Sequence, residues 1–203
     1  MPLILASGSP QRRAILAQLG VDFTVVVSEV DELEQGQAEL VAVENARRKA
    51  LAVAGQRAGD GAERVVPSRR AGDEPPETVV GVDTVVERDG RLYGKPADRD
   101  EAAATLRALA GAAHRVVSGV CVIEAGAART ATAVTDVRFR PLADAALRWY
   151  LDTGEWRGRA GGYAIQGRGA ALVESIRGDY LNVVGLPVAT LLDLLPSLLF
   201  SPF

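Results

Sequence analysis

Apolar residues open the chain as a block. Leu3 to Ala6 has no polar position, the pattern of a short buried strand. It runs into Ser7-Gly8-Ser9-Pro10 and then a helical stretch from about Gln11 to Leu19. Ser9 suits the N-cap, Pro10 the first helical position and Gly20 the stop. Phe23 to Ser28 reads as a second strand. Gln37 to Ala54 reads as a long helix, with Leu40, Val43, Leu51 and Ala54 spaced for one buried face. Thr78 to Val82 predicts a buried strand that ends at Asp83. Val85-Val86 and Arg91 to Tyr93 flank Asp89-Gly90, a strong hairpin signal.

Asp98 with Glu101 resembles a capping box opening a helix that stops at Gly111. Two long strands follow, His114 to Ile123 and Arg129 to Phe139, joined through Gly126. Leu142 to Leu151 is helical, Ala171 to Ile176 is a strand, and a last helix starts near Pro187. This alternation predicts an α/β class with a mixed, twisted sheet and flanking helices. Residues 57–77, rich in Gly, Pro, Arg and acidic side chains, read as a flexible loop within a single domain spanning 1–203.

Composition narrows the partners. The 203 residues are 48% hydrophobic and 24% charged, ordinary for a globular chain, and the net charge is -3. Such a charge draws in neither nucleic acid nor an anionic membrane, so an anionic ligand must be held by a local cluster. No stretch approaches the roughly 18 apolar residues of a membrane span, and the opening apolar run is too short for a signal sequence. A cytoplasmic protein is expected. Cys121, the single cysteine, lies in a Val-rich run and reads as a buried small hydrophobe. Of the 23 basic residues only Lys49 and Lys95 are lysines. Coding bias explains an arginine-rich chain, but it leaves lysine mainly where arginine cannot replace a compact ammonium.

Four places can carry chemistry. Ser7 to Arg13 puts free N–H groups, the hydroxyls of Ser7 and Ser9, and the guanidinium groups of Arg12 and Arg13 around a helix start, a ready anion site. A capped helix with two solvated arginines fits the same residues equally well. Asp83 ends an apolar strand, where a buried carboxylate needs a cation or hydrogen bonds; strand ends in α/β sheets also collect ligands. One member of the acidic run Glu29, Asp31, Glu32 and Glu34 could join Asp83 around a hard divalent ion, although such runs are mostly solvated. Lys95, in Gly94-Lys95-Pro96, is an ammonium on a rigid turn. Gly161 to Gly167 offers close backbone approach and, in Gln166, an amide able to read a base edge. His114, the single histidine, has no partner for a metal site or triad and reads as structural.

Taken in order, these pieces resemble the Maf family of nucleotide pyrophosphatases. The likeness is carried by Leu5-Ala6-Ser7-Gly8-Ser9-Pro10, Asp31-Glu32, Arg48-Lys49-Ala50, Gly81 to Val86, Gly94-Lys95-Pro96, Gly111 to His114, Thr153-Gly154-Glu155, Ala160 to Gly167 and Asn182 to Pro187. It implies a fold related to the inosine triphosphate pyrophosphatases, two lobes around a cleft, a homodimer, and hydrolysis of nucleoside triphosphates between the α- and β-phosphates with Mg²⁺ or Mn²⁺. Asp83 then matches the proton acceptor, and Ser7, Arg12, Glu32, Lys49 and Lys95 match other active-site positions. Glu32 and Asp83 are the expected metal ligands. Thr84 and Gln166 match the subgroup that favours dTTP and UTP. Gln11 departs from the usual arginine at a position tied to substrate choice. The alternatives are a pyrophosphatase for purine or modified-purine triphosphates and a non-catalytic nucleotide-binding regulator of cell division.

Overall fold

The computed structural model describes residues 2–59 and 77–199. Strand β1 (Leu3–Ala6) feeds helix α1 (Pro10–Gln18), and β2 (Phe23–Val25) returns parallel to β1. Helix α2 (Ala38–Gly59) crosses to β3 (Thr78–Arg88), which lies parallel to β1 on its other side. Strand β4 (Arg91–Tyr93) folds back on β3 through the Asp89-Gly90 turn, where both residues have positive φ. Helix α3 (Arg99–Leu109) leads to the long hairpin β5 (Ala113–Glu124) and β6 (Ala127–Phe139). Helix α4 (Asp144–Thr153), β7 (Val173–Arg177), α5 (Tyr180–Val184) and α6 (Val188–Leu194) complete the described chain. The sheet order is β2-β1-β3-β5-β6-β7, with β4 also on β3. Parallel and antiparallel pairs mix as expected, and no described helix is long and apolar enough to cross a membrane.

Alternation along β3 and β5 decides what each sheet face carries. On one face Val80, Val82, Val120 and Val122 pack with α1 and α6, while Val86, Val116 and Val137 pack with α3 and α4. These two cores lie apart along the same strands, with Thr84 and Ser118 between them. Helix α2 covers the opposite face against Ile4, Ala6, Val79, Cys121 and Ile123, and further along against Val117.

Three sequence expectations are corrected by the fold. Helix α2 does not bury Leu40 and Leu51, which are 65% and 42% exposed. Its inner stripe is Ala38, Val41, Ala42, Asn45, Ala46, Lys49, Ala50 and Val53. Two glycines impose this. A Cβ on Gly81 would stand 2.2 Å from the Ala46 carbonyl oxygen, and one on Gly119 2.2 Å from that of Ala42. The helix therefore lies directly on the sheet backbone, where alanine fits and leucine does not. Strand β3 does not stop at Asp83 but runs on to Arg88, because β5 pairs with it as far as Glu87 and β4 pairs with its last three residues. The last helix starts where expected, at Val188 after Pro187, and a short helix not foreseen in the sequence, α5, precedes it across Gly185-Leu186-Pro187, with Gly185 at φ 126°. Helix α2 also runs through residue 59, and residues 60–76 of the expected loop lie outside the described residues.

Candidate active site

A gap in the sheet edge makes the site. Strand β1 pairs with β3 only as far as Ala6 opposite Gly81, and β4 begins only at Tyr93 opposite Val86. Among the described residues, 82–85 of β3 therefore have no strand beside them on that edge. A cleft of about 400 Å³ opens there, with Asp83 and Thr84 at its floor.

Asp83 points towards α2 and is 5% exposed. Its Oδ1 accepts from Lys49 Nζ at 2.6 Å, and its Oδ2 accepts from Asn45 Nδ2 at 3.0 Å. Lys49 Nζ also reaches Glu32 Oε1 at 2.8 Å, so one ammonium bridges both carboxylates. Asn45 and Lys49 are one helical turn apart, on the stripe that the glycines draw onto the sheet. Asn45 does more than meet Asp83. Its Oδ1 accepts from Leu33 N at 2.7 Å and its Nδ2 donates to Leu33 O at 3.0 Å, which pins the loop carrying Glu32.

Arg12 leaves the first turn of α1 and is 8% exposed. Its Nε donates to Gly185 O at 2.8 Å, one terminal nitrogen to Ser7 Oγ at 2.8 Å, and the other to Thr84 Oγ1 at 3.1 Å. Thr84 Oγ1 in turn forms a hydrogen bond with Ser118 Oγ at 2.8 Å, in which either hydroxyl can donate. Burial lowers the guanidinium pKa, opposed by the charges of Asp83 and Glu32. Ser9 makes no side-chain cap bond; its hydroxyl donates instead to Gln11 Oε1 at 3.1 Å, which turns the Gln11 amide NH₂ free to donate.

Lys95 and Gln166 are exposed and line the cleft. Their turns are fixed from beneath. Gly161 N donates to Gly94 O at 3.0 Å, and Glu155 accepts from Arg168 N at 3.0 Å and Gly169 N at 3.2 Å. Thr153-Gly154-Glu155 thus supports the site from outside it. Gly154, at φ 71°, ends α4 and delivers Glu155 under the Gln166 turn.

Ser7, Ser9, Arg12, Glu32, Lys49, Asp83, Thr84, Lys95 and Gln166 thus share one cleft. Arg13 does not join them. It is exposed and absent from the lining, because the next residue on α1 projects about 100° round the helix from buried Arg12. Both lysines of the chain line the cleft, as the bias against lysine suggested. Sequence reasoning missed Asn45, Ser118 and Arg159. Asn45 carried a usable signal, since it falls with Lys49 on the alanine stripe; Ser118 and Arg159 carried none.

His114 is structural. Its Nε2 meets Tyr163 Oη at 2.9 Å, and its ring packs edge-on against Phe139. Burial, with a smaller push from Arg88, lowers its pKa to about 4. Burial likewise raises the Cys121 thiol to about 11, so no reactive thiolate sits there at neutral pH.

The family model described as Maf-like protein matches residues 2–198. The chain belongs to the Maf family. It is 46% identical to a dTTP/UTP pyrophosphatase of Thermococcus gammatolerans, over 92% of this chain and 91% of that protein. It is 42% identical to a dTTP/UTP pyrophosphatase of Deinococcus radiodurans, over 99% of this chain and 95% of that protein. A dTTP/UTP pyrophosphatase of Pyrococcus furiosus is 39% identical over 95% and 93% of the two chains. Among solved structures, the Staphylococcus aureus Ham1 protein aligns with 68% of this Maf chain and 72% of its own, at 15% identity and a TM-score of 0.42, too loose a likeness to bear on the fold.

Proposed function

We propose that this Maf protein hydrolyses nucleoside triphosphates, dTTP and UTP foremost, to the monophosphate and pyrophosphate. The observation that carries the reading is the buried Asp83, held by Lys49 and Asn45 at the floor of a cleft rimmed by cations. A carboxylate has about four lone-pair sites, and two donors leave room for a water. Asp83 orients that water and accepts its proton as the water oxygen attacks the α-phosphorus. The bond from the α-phosphorus to the bridging oxygen breaks, and pyrophosphate leaves with the electron pair. Lys49, held at Asp83, is placed to meet charge growing on the α-phosphoryl oxygens. Arg12 supplies a fixed charge rather than a mobile one, since three of its donors are bound within the protein. Thr84 and Gln166 face the same cleft and are assigned to the base; a Gln amide offers both a donor and an acceptor to a pyrimidine edge.

A divalent ion fits the donor set. Glu32 and Asp83 are hard oxygen donors on one cleft, and no cluster of three possible ligands occurs among the described residues, so substrate phosphates and water would complete the shell. Such an ion, Mg²⁺ or Mn²⁺, supplies Lewis acidity and lowers the pKa of water. The reading also carries the homodimer that the resemblance implies and the cytoplasmic location expected from the sequence; sedimentation tests the first and cell fractionation the second.

The deciding experiment is pyrophosphate release from a panel of pyrimidine and purine triphosphates, with and without a chelator. Fastest release from dTTP and UTP, lost with chelator and restored by Mg²⁺ or Mn²⁺, is expected. Preference for purines overturns the base assignment, and tight binding without release overturns the enzyme in favour of a regulator. Gln166→Ala should narrow the difference between dTTP and dGTP; an unchanged ratio removes Gln166 from base reading.

A further inference from the structure

Six charged side chains line the cleft: Arg12, Glu32, Lys49, Asp83, Lys95 and Arg159. Lys49 is paired to both Glu32 and Asp83, and the same two carboxylates are the compensating charges felt by Arg12. That wall is balanced. Two positive charges remain unbalanced, Lys95 and Arg159, and neither forms an ion pair among the described residues.

Lys95 and Arg159 belong to one platform. The Gly161 N–H bond to Gly94 O ties their turns together, and Gly162 packs so closely on Pro96 that a Cβ there would stand 3.2 Å from its ring. Arg159 is fixed on both sides of its Cα. Its N–H donates to Trp156 O at 3.2 Å and its carbonyl accepts from Gly162 N at 3.0 Å. Trp156 is itself buried and anchored by Nε1 to Leu151 O at 3.1 Å. The side chain is not so well served. Arg159 Nε is buried and has no hydrogen-bond partner among the described residues. Proteins seldom leave a buried N–H unpaired, and an exception marks a group awaiting water or ligand. Burial lowers the guanidinium pKa, and Tyr150 and Glu155 offset this only in part.

We propose that Arg159 is a substrate-binding residue which, with Lys95, clamps the pyrophosphate end of the triphosphate. The inference rests on the pyrophosphatase reading above. Attack at the α-phosphorus puts that atom beside Asp83, on the balanced wall. The β- and γ-phosphates carry most of the remaining charge and so go to the wall with uncompensated cations. A guanidinium fork suits two phosphate oxygens at once, which a lysine cannot match.

Calorimetric titration of the whole protein with inorganic pyrophosphate and, separately, with dTMP tests this without needing turnover. Arg159→Gln should weaken pyrophosphate binding by about tenfold or more while dTMP binding stays within about twofold, because only the charged, forked contact is removed. Arg159→Lys should recover part of the loss and serves alone if the Gln variant does not fold. Unchanged pyrophosphate affinity in either folded variant overturns the proposal, as does equal weakening of pyrophosphate and dTMP. A wild-type protein that releases no pyrophosphate from any triphosphate refutes the function instead, and the titrations separate the two failures.

Discussion

Gly119 touches no substrate, yet Gly119→Ala should injure both stability and turnover. Gly119 lies opposite Asp83 in the β3–β5 register and directly beneath α2. A Cβ there would stand 2.2 Å from Ala42 O, 2.3 Å from Ala42 C and 2.4 Å from Val43 N. All three atoms are backbone, so no rotamer change relieves the clash. Ordinary contact needs about 3.5 Å, so the helix must retreat by roughly 1 Å. Overpacking of this kind costs about 1–3 kcal/mol, and at this chain length each kcal/mol lowers Tm by roughly 2–4 °C. The same retreat pulls Asn45 and Lys49 away from Asp83, and a shift of about 1 Å in catalytic geometry costs on the order of a hundredfold in rate. Differential scanning calorimetry gives the first number. Initial rates of pyrophosphate release, taken well below the variant's Tm, give the second. Gly55→Ala is the control, since it lies on the same helix with nothing within 4 Å of an added Cβ; it should be neutral or stabilising by up to about 1 kcal/mol. A Gly119→Ala protein with wild-type Tm and wild-type rate would falsify the close helix-on-sheet approach as the device that sets Lys49 against Asp83.

Three further outcomes are expected. Asp83→Asn should lower kcat by about 10²–10⁴-fold with circular dichroism unchanged, and normal turnover in that variant removes the proton acceptor. Asn45→Ala should lower kcat through two effects, loss of a bond to Asp83 and release of the Glu32 loop; protease cutting near residue 33 should rise in parallel, and unaltered cutting argues against the second effect. The folded-state pKa of His114 is depressed to about 4, so the unfolded chain binds the extra proton first as pH falls. Its contribution is complete above the unfolded value near 6.5 and is lost on descent towards 4, by about 3 kcal/mol in the limit. The fall in Tm between pH 6.5 and 4 should therefore be shallower in His114→Gln, and an equally steep fall assigns the acid sensitivity to other groups.

Much of the site was legible because its residues break local patterns. Asp83 interrupts a valine run, Ser7 to Pro10 joins a strand to a helix, and two lysines survive among arginines. Each oddity could be seen from neighbours alone. Long-range packing hid the rest. Nothing near Leu40 or Leu51 announces that two glycines, tens of residues downstream, will draw the helix so close that only alanines fit. Hydrophobicity favoured the large residues, and steric closeness selected the small ones. Arg12 and Arg13 are adjacent and chemically identical, and the burial of one follows from Gly185, Ser7 and Thr84 converging on it. Arg159 looked like any surface arginine in a chain that uses arginine freely. Its orphaned Nε is a property of the packed state.

The bond from Arg12 to the carbonyl of Gly185 joins positions 173 residues apart. Contacts of such separation require closing nearly the whole chain into a loop, which slows folding and defers them to its later stages. The Ser7–Ser9 turn with its arginine is completed only when the segment around Gly185 reaches it. Until residues 180–186 dock, the Arg12 guanidinium has only Ser7 and Thr84 to hold it, beside a sheet edge that lacks its covering segment. A folding Maf chain should thus pair its strands yet stay inert towards nucleotides until α5 and the Gly185 turn close over α1.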